Sequence, residues 1–428
     1  MMTQDRQTAG STPSAGNAYG NVRWLIVGML WFVLLFNYAD RQAIFSVFPL
    51  IKQEMRLSDV QLGVLGSCFM WMYALFGPFA GWVGDRFSRK KLIIGSLIFW
   101  SIVTAATAIA KTYGYMLLCR SLGGLGEAFY FPAAMSMISD YHGPATRSRA
   151  MSVHQTAVYA GSILGAFVSG AVGEHSGWRA SFLLFGCSGV VLGLVLMGLL
   201  REPVRGLSDN ASAPTPREQG SLWLGLKEIF HNRTAILLIG IFMGANFVAV
   251  VFLTWLPTFL YQKFHMSLGM AGLNSAIHLQ IASLVGVLCG GLLADRLASR
   301  YRGGRMMTQA IGLLGGIPFL FLTGWVVSSA VLILAMIGFG YFKGIYDANI
   351  FASLYDVVPV QRRAAVAGLA NSMGWLGGSI APITIAIGAA HFGMSACISA
   401  TALVYLVMGL LMIYGSYRLN TLQGTQLV

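Results

Sequence analysis

The stretch LLFNYADRQAIFS, residues 34–46, interrupts an apolar run with an acid and a base side by side. Apolar residues extend from Trp24 to Phe36 and resume from Ala43 to Ile51, with only Ser46 polar between them. Such a run is long enough to cross a bilayer, whose core of about 30 Å needs roughly 20 helical residues. An ionised Asp or Arg at the centre of a membrane helix costs roughly 2.5–3.5 kcal/mol on insertion scales. Asp40 and Arg41 are therefore expected to face other helices or a cavity, and each needs a reason to be there.

The remaining sequence supports a membrane setting. Of 428 residues, 56% are hydrophobic and 10% charged, with a mean hydropathy of +0.68. Soluble domains carry about 25% charged residues, so this chain reads as a polytopic membrane protein. Apolar segments fall near 23–51, 59–84, 91–110, 113–139, 148–173, 179–200, 234–262, 270–294, 306–327, 329–358, 364–390 and 394–416, which makes twelve spans. The alternation expected of barrel strands does not recur. The predicted fold class is an all-α integral membrane protein of twelve transmembrane helices in two six-helix bundles.

The net charge of +13 follows the same topology. Loops after even-numbered spans hold seventeen Lys and Arg, among them Arg86, Arg89, Arg147, Arg296 and Arg363. Loops after odd-numbered spans hold five: Lys52, Arg56, Lys111, Arg179 and Lys263. By the positive-inside rule both termini are expected in the cytoplasm, the membrane being a bacterial inner (plasma) membrane. The basic balance then reflects topology and anionic membrane lipid, and no nucleic-acid partner is expected. The five cysteines (Cys68, Cys119, Cys187, Cys289 and Cys397) lie singly in apolar spans, indicating neither a disulfide framework nor a thiolate metal site. No metal and no cofactor are expected. Residues 1–22 read as a disordered cytoplasmic tail and not as a signal peptide.

Two halves repeat. Residues 201–233, with the polar stretch REPVRGLSDNASAPTPREQGS at 201–221, form a cytoplasmic linker with an amphipathic segment. It separates a bundle at 23–200 from one at 234–418, and 419–428 form a second cytoplasmic tail. Gly81 begins GWVGDRFSRKK and Gly291 begins GLLADRLASRYR, while Pro49 and Ser58 have counterparts in Pro257 and Ser267. Six-plus-six repeats of this kind build transporters around a midplane site. The G-x-x-x-D-R-x-x-R-K-K stretch resembles the signature loop of the major facilitator superfamily, with Ser88 where the family usually has a second Gly. Gly81 would let a neighbouring helix approach, and Asp85 would pair with a base or a helix N-terminus. We expect Gly81, Asp85, Arg86 and Arg89, with Asp295 and Arg296 in the second half, to form a latch that closes one face.

Three spans carry buried charge: Asp40 and Arg41 in the first, Arg120 and Glu127 in the fourth, Lys343 and Asp347 in the tenth. Arg120 and Glu127 are seven residues apart, so they project from one helical face, with Gly123, Gly124 and Gly126 leaving room between them. Lys343 and Asp347, four apart, can pair within their helix and are assigned to gating. Two readings are open. The charges are either ion pairs that fix packing (Arg41 to Glu127, Asp40 to Arg120) or a coupled site. A carboxylate near an arginine in a poorly hydrated cavity is either ionised and paired, or protonated while the arginine holds another anion.

NYADR together with R-x-x-x-G-x-G-E-A (Arg120, Gly124, Gly126, Glu127, Ala128) resembles the anion:cation symporters of the superfamily and the bacterial spinster-like transporters. REPVRG, WLPTFL (255–260) and GGLLADRLASR (290–300) resemble the spinster-like side. That resemblance implies that Arg41 holds a substrate's acidic group, that Asp40 and Glu127 are protonation sites, and that Arg120 orients Glu127 or shares the anion. Asn37, Tyr38, Tyr130, His154, Gln155, His278, Gln280, Tyr346, Asn349 and Asn371 are further candidate substrate contacts, though a buried polar residue often only bonds another helix. In AGSILGAFVSGAVG (160–173), Ala166 stands where antiporters of the family carry proline, which favours symport or uniport.

No G-x-x-x-x-G-K-[ST] or H-E-x-x-H occurs, and GGLGEAF fails G-x-G-x-x-G at Phe129, so an enzyme is not expected. The expectation is a monomeric secondary transporter that moves a small-molecule substrate, an organic anion such as a carboxylate or sugar acid, with protons. Sodium is the open alternative to the proton, a lysolipid or other amphiphile the alternative substrate, and a channel the alternative class.

Overall fold

The computed structural model describes residues 20, 22–203, 231–359 and 363–421, apart from the side chains of Asp85, Pro144, Ala145, Ala364, Ala365 and Thr421. The expected tail at 1–22, most of the linker at 201–233, most of the tail at 419–428 and the Asp85 carboxylate of the expected latch lie outside the described residues. Among the described residues there are fifteen helices. The first half contains α1 (Val22–Ser46), α2 (Phe48–Met55), α3 (Asp59–Arg86), α4 (Arg89–Thr107), α5 (Tyr113–Ala128), α6 (Tyr130–Tyr141), α7 (Pro144–Ser176) and α8 (Trp178–Leu199). The second contains α9 (Arg233–Phe264), α10 (Leu268–Ala298), α11 (Gly304–Trp325), α12 (Ser329–Asp347), α13 (Ile350–Val357), α14 (Arg363–Phe392) and α15 (Met394–Thr421).

Eleven of the described segments are long and apolar enough to cross a membrane. The twelfth crossing is shared by α5 and α6, where Arg120, Glu127 and an interruption at Phe129 break the apolar run. Three expected spans are thus broken, near Val47, Phe129 and Asn349. The first two breaks have the same cause. A proline ring clashes with the carbonyl four residues earlier and lacks an N–H, and Pro49 and Pro132 follow closely in each case. Asn349 breaks the tenth span and is itself fixed, its amide donating to the Gly290 carbonyl of α10 at 3.2 Å.

Ser58 and Ser267, matched between the halves in the sequence, are matched in role. Ser58 accepts from the Gln61 amide at 3.2 Å, and the Gln61 side chain accepts from the Ser58 amide at 2.8 Å. Ser267 accepts from the Met270 amide at 3.3 Å. Both cap the helix that opens their half's second crossing, α3 and α10.

Within the first half α1 packs on α7, α3 on α5 and α4 on α8; within the second, α9 packs on α14, α10 on α12 and α11 on α15. The halves meet along α3–α14, α7–α10 and α1–α9, and these contacts gather at one end. A Cβ on Gly63 of α3 would lie 2.7 Å from the Pro382 carbonyl oxygen of α14, and one on Gly170 of α7 would lie 2.3 Å from the Leu268 carbonyl. A Cβ on Gly272 of α10 would lie 2.2 Å from the carbonyl of Ala166, the residue where antiporters carry proline. Between the halves the Gln42 amide donates to the Leu253 carbonyl at 2.8 Å, and within the second half the Trp255 indole donates to the same Pro382 carbonyl that Gly63 approaches, at 3.0 Å. At the other end, a Cβ on Gly77, Gly81, Gly84 or Gly368 would meet nothing within 4 Å. The molecule is closed where α2 meets α3 and α9 meets α10, and open where α1 begins and α15 ends.

The signature loop lies at the open end. The close approach expected at Gly81 is not made, and Arg86 lies over the ring of Trp82 on its own helix at 4.0 Å. Arg89 pairs with Asp140 of α6 and donates to the Ser136 carbonyl at 3.2 Å. Ser88, the departure from the family pattern, has a partner a glycine could not engage. Its hydroxyl donates to Glu202 at 2.7 Å, while the Arg89 and Lys90 amides donate to the same carboxylate at 2.9 and 2.7 Å. Glu202 thus seats a negative charge on the N-terminus of α4, where the helix dipole favours one.

Two predictions follow from this packing. Burial opposes the charge on Glu202, but the Ser88 hydroxyl and the two amides outweigh it and hold the carboxyl below its ordinary 4.5. Its stabilisation is therefore present above that value and lost as pH falls through the depressed one. Glu202→Gln is expected to flatten the acid limb of thermal stability below about pH 4.5, read by unfolding curves across the acid range. Gly272→Leu is expected to prise the closed end apart. In a background without native cysteines, a Phe48→Cys thiol should then react at least about tenfold faster with a membrane-impermeant reagent.

Candidate functional site

Glycines bring the site's helices within backbone contact. A Cβ on Gly124 of α5 would lie 2.2 Å from the Phe69 carbonyl of α3. Gly161 and Gly165 press α7 against the Leu35 and Ala39 carbonyls of α1. These approaches pair α5 with α3 and α7 with α1, and Arg41 of α1 bridges to Glu127 of α5.

Arg41 is at the centre. Its Nε and Nη2 donate to Glu127 Oε2 at 3.2 and 2.8 Å, and Nη2 also donates to Asn37 Oδ1 at 3.3 Å. The side chains of Arg41 and Glu127 are 8% and 2% exposed. Four rings surround the guanidinium carbon: Tyr38 and Tyr73 at 4.8 Å, Phe69 and Trp375 at 5.0 Å from their centroids. Trp375 comes from α14 in the second half, so the cage is built by both halves. Arg120 lies over the same Phe69 ring at 4.7 Å, so the two cations flank one aromatic face.

The remaining charges are not matched one to one. Asp40 turns away from Arg41, and its Oδ2 accepts from the Thr104 hydroxyl of α4 at 2.5 Å. Of the two ion pairs weighed in the sequence, Arg41–Glu127 forms, whereas Asp40 and Arg120 make no direct contact. Within this cluster, and among the described residues, the buried atoms without a hydrogen-bond partner are Nη1 of Arg41, Nε and Nη2 of Arg120, Nδ2 of Asn37 and Oδ1 of Asp40. Leaving a buried polar atom unpaired costs about 1–3 kcal/mol, and four of these five are donors. An anion placed among them would satisfy donors that the protein leaves unpaired.

The other sequence candidates divide by helical face. Gln155 and Asn371 are exposed, and Asn371 lies one turn from Trp375, whose ring is at Arg41. His154, about 100° round from Gln155, points into the first bundle, where Nε2 meets the Tyr130 hydroxyl at 2.9 Å and that hydroxyl donates to the Leu30 carbonyl at 2.7 Å. The structure thus places His154 and Tyr130, expected as substrate contacts, inside a bundle away from Arg41. Tyr346 is likewise 2% exposed, packed against Gly312 of α11, and Asn349 ties the break of the tenth span to α10. His278 bonds Asn274 one turn away at 3.0 Å, and Gln280 is buried in α10. Asp295 and Arg296 are exposed at the open end of α10. Lys343 and Asp347 pair with each other. Thr104, Phe69, Tyr73 and Trp375 are site residues that the sequence reading missed. The one local signal was the four-residue spacing of Phe69 and Tyr73, which puts both on one face of α3.

Comparison with known proteins adds to this geometry. The sequence matches the Major Facilitator Superfamily profile over residues 30–382. It is 31% identical over 369 residues to the human protein spinster homolog 1, covering 80% of this chain and 68% of that protein. It is 27% identical over 400 residues to the probable galactarate/D-glucarate transporter GudP of Bacillus subtilis, covering 85% of each. Among solved structures, a bacterial homologue of the human lysosomal transporter Spinster, in an inward-facing and unoccupied conformation, superposes with a TM-score of 0.83 at 22% identity, over 96% of this chain and 98% of that one.

The Tyr130–His154 pair is expected to matter for stability and not for recognition. Tyr130→Phe removes two hydrogen bonds and should lower unfolding stability by about 1–2 kcal/mol. A larger effect on ligand affinity than on thermal unfolding would return this pair to the cavity.

Proposed function

The chain belongs to the major facilitator superfamily, and from that premise we propose that it is a proton-coupled carrier of a small organic anion, a carboxylate or sugar acid. The observation that carries this reading is the caged Arg41. It is held by one carboxylate, keeps Nη1 without a partner, and stands beside an Arg120 that has no ion pair. The likeness to the probable galactarate/D-glucarate transporter GudP supports the substrate class.

Glu127 ionised and a substrate carboxylate compete for the same guanidinium. When Glu127 takes a proton, Arg41 is free to hold the anion, with Asn37, Tyr38 and Tyr73 around it and Arg120 completing the positive field. When substrate leaves, Glu127 releases its proton and re-forms the pair. Asp40, bonded only through Thr104, is the second protonation site. The open end carries the basic loops, so by the positive-inside rule this is the cytoplasmic-open state of a bacterial inner-membrane protein. Closing that end against α14 would engage the loop at Gly81 and complete one turn of alternating access. The protein works as a monomer.

The spinster likeness supports a second reading, transport of a lysolipid or similar amphiphile, in which the buried charges serve gating alone. Uptake into proteoliposomes separates the two. Sugar-acid uptake driven by an inward proton gradient should be abolished in Arg41→Ala. In Glu127→Gln binding should persist while acceleration by the gradient is lost. Lysolipid movement that survives Arg41→Ala, without sugar-acid uptake in the wild type, would overturn the anion reading.

A further inference from the structure

Gln42 of α1 is a buried amide that the site around Arg41 does not use. It is 5% exposed, and burying an amide is unfavourable unless it is hydrogen-bonded. Its partner is in the other half, where Nε2 donates to the Leu253 carbonyl of α9 at 2.8 Å. Three successive residues of α1 therefore hold three different helices. Asp40 accepts from Thr104 of α4, Arg41 donates to Glu127 of α5, and Gln42 donates across to α9. Of these three bonds, the last alone joins the halves.

The acceptor is set by the sequence of α9. In an α-helix each carbonyl accepts from the amide four residues on, and residue 257 is a proline, which has no N–H. The Leu253 carbonyl is thus left without its intrahelical donor, and in a membrane helix such a group is satisfied by a neighbouring helix, a side chain or water. The matched proline of the first half shows the other outcome. The first span breaks at Val47, ahead of Pro49, whereas α9 runs through Pro257 from Arg233 to Phe264. Pro78, Pro318 and Pro382 also lie inside helices. Among the described residues no side chain donates to the carbonyls four residues before them, at Ala74, Leu314 and Gly378. A freed carbonyl in this fold does not draw in a side chain by default, so the bond from Gln42 is a specific one.

We infer that Gln42 is a positioning residue of the transport cycle, and that its bond to the carbonyl freed by Pro257 holds the closed end shut. The bond lies within the α1–α9 contact, one of those along which the halves meet, and it breaks when that end parts. Breaking it costs α9 no intrahelical bond, because the gap left by Pro257 is already there. Gln42 also adjoins Arg41 on one helix, so a movement of α1 that re-seats the guanidinium displaces the donor as well. This role requires alternating access and holds for either cargo considered above.

Thiol labelling of the full-length protein tests it. Ser46 is 1% exposed, its hydroxyl has no hydrogen-bond partner, and a Cβ on Gly272 of α10 would lie 3.2 Å from that hydroxyl. In a background without native cysteines, Ser46→Cys therefore reports opening of the closed end with little disturbance. Adding Gln42→Met, which keeps the side-chain length and removes the donor, should speed labelling by a membrane-impermeant maleimide at least about fivefold. Pro257→Ala supplies the missing N–H, so the Leu253 carbonyl no longer depends on the other half. In that background Gln42→Met should change the rate by less than about twofold. Unfolding temperatures check that each variant is folded, and Gln42→Leu takes the place of the methionine variant if it is not. An unchanged labelling rate in Gln42→Met, with or without a lower unfolding temperature, would make Gln42 a packing contact and overturn the inference. Equal acceleration with and without Pro257 would also overturn it, since the amide would then act through something other than that carbonyl.

Discussion

A guanidinium out of reach of water has to be neutralised where it stands, and the first half of this protein is arranged around that requirement. Taking an ion out of water costs several kcal/mol even after relaxation, and breaking a buried pair by deleting one member costs about 3–5 kcal/mol. Arg41 meets the requirement with one carboxylate, one amide oxygen and four ring faces. Each desolvated cation–π contact contributes up to about 2 kcal/mol, so the rings stabilise the charge without consuming its donors. That distinction separates a binding site from a structural tie. A guanidinium saturated by carboxylates has no donor left for a ligand, whereas one stabilised largely by ring faces keeps Nη1.

The same economy governs the contact between the halves. The closed end sets glycines against carbonyls and packs apolar side chains of both halves together, among them Phe48 on Trp255 at 5.7 Å between ring centroids. The fourth and tenth spans, which occupy corresponding places in the two halves, are each broken two residues after a carboxylate, at Phe129 after Glu127 and at Asn349 after Asp347. Irregular backbone at membrane depth persists only where protein or a cavity satisfies it, and here the Asn349 side chain bonds the Gly290 carbonyl.

How much of this could be read from the sequence depends on what is local. The twelve crossings, the matched Ser58 and Ser267 caps and the charged spans follow from hydropathy, spacing and residue type. Arg120 and Glu127 on one face follow from a seven-residue separation. The ring cage does not, because Phe69, Tyr73 and Trp375 sit in helices apolar all round, and no period marks which face looks at the cavity. His154 and Gln155 show the limit most clearly. They are adjacent and both polar, yet about 100° of helical phase sends His154 to Tyr130 inside the bundle and Gln155 to the exposed face. The partner of Asp40 was equally out of reach, since Thr104 is 64 residues away and meets it only after α1 and α4 pack.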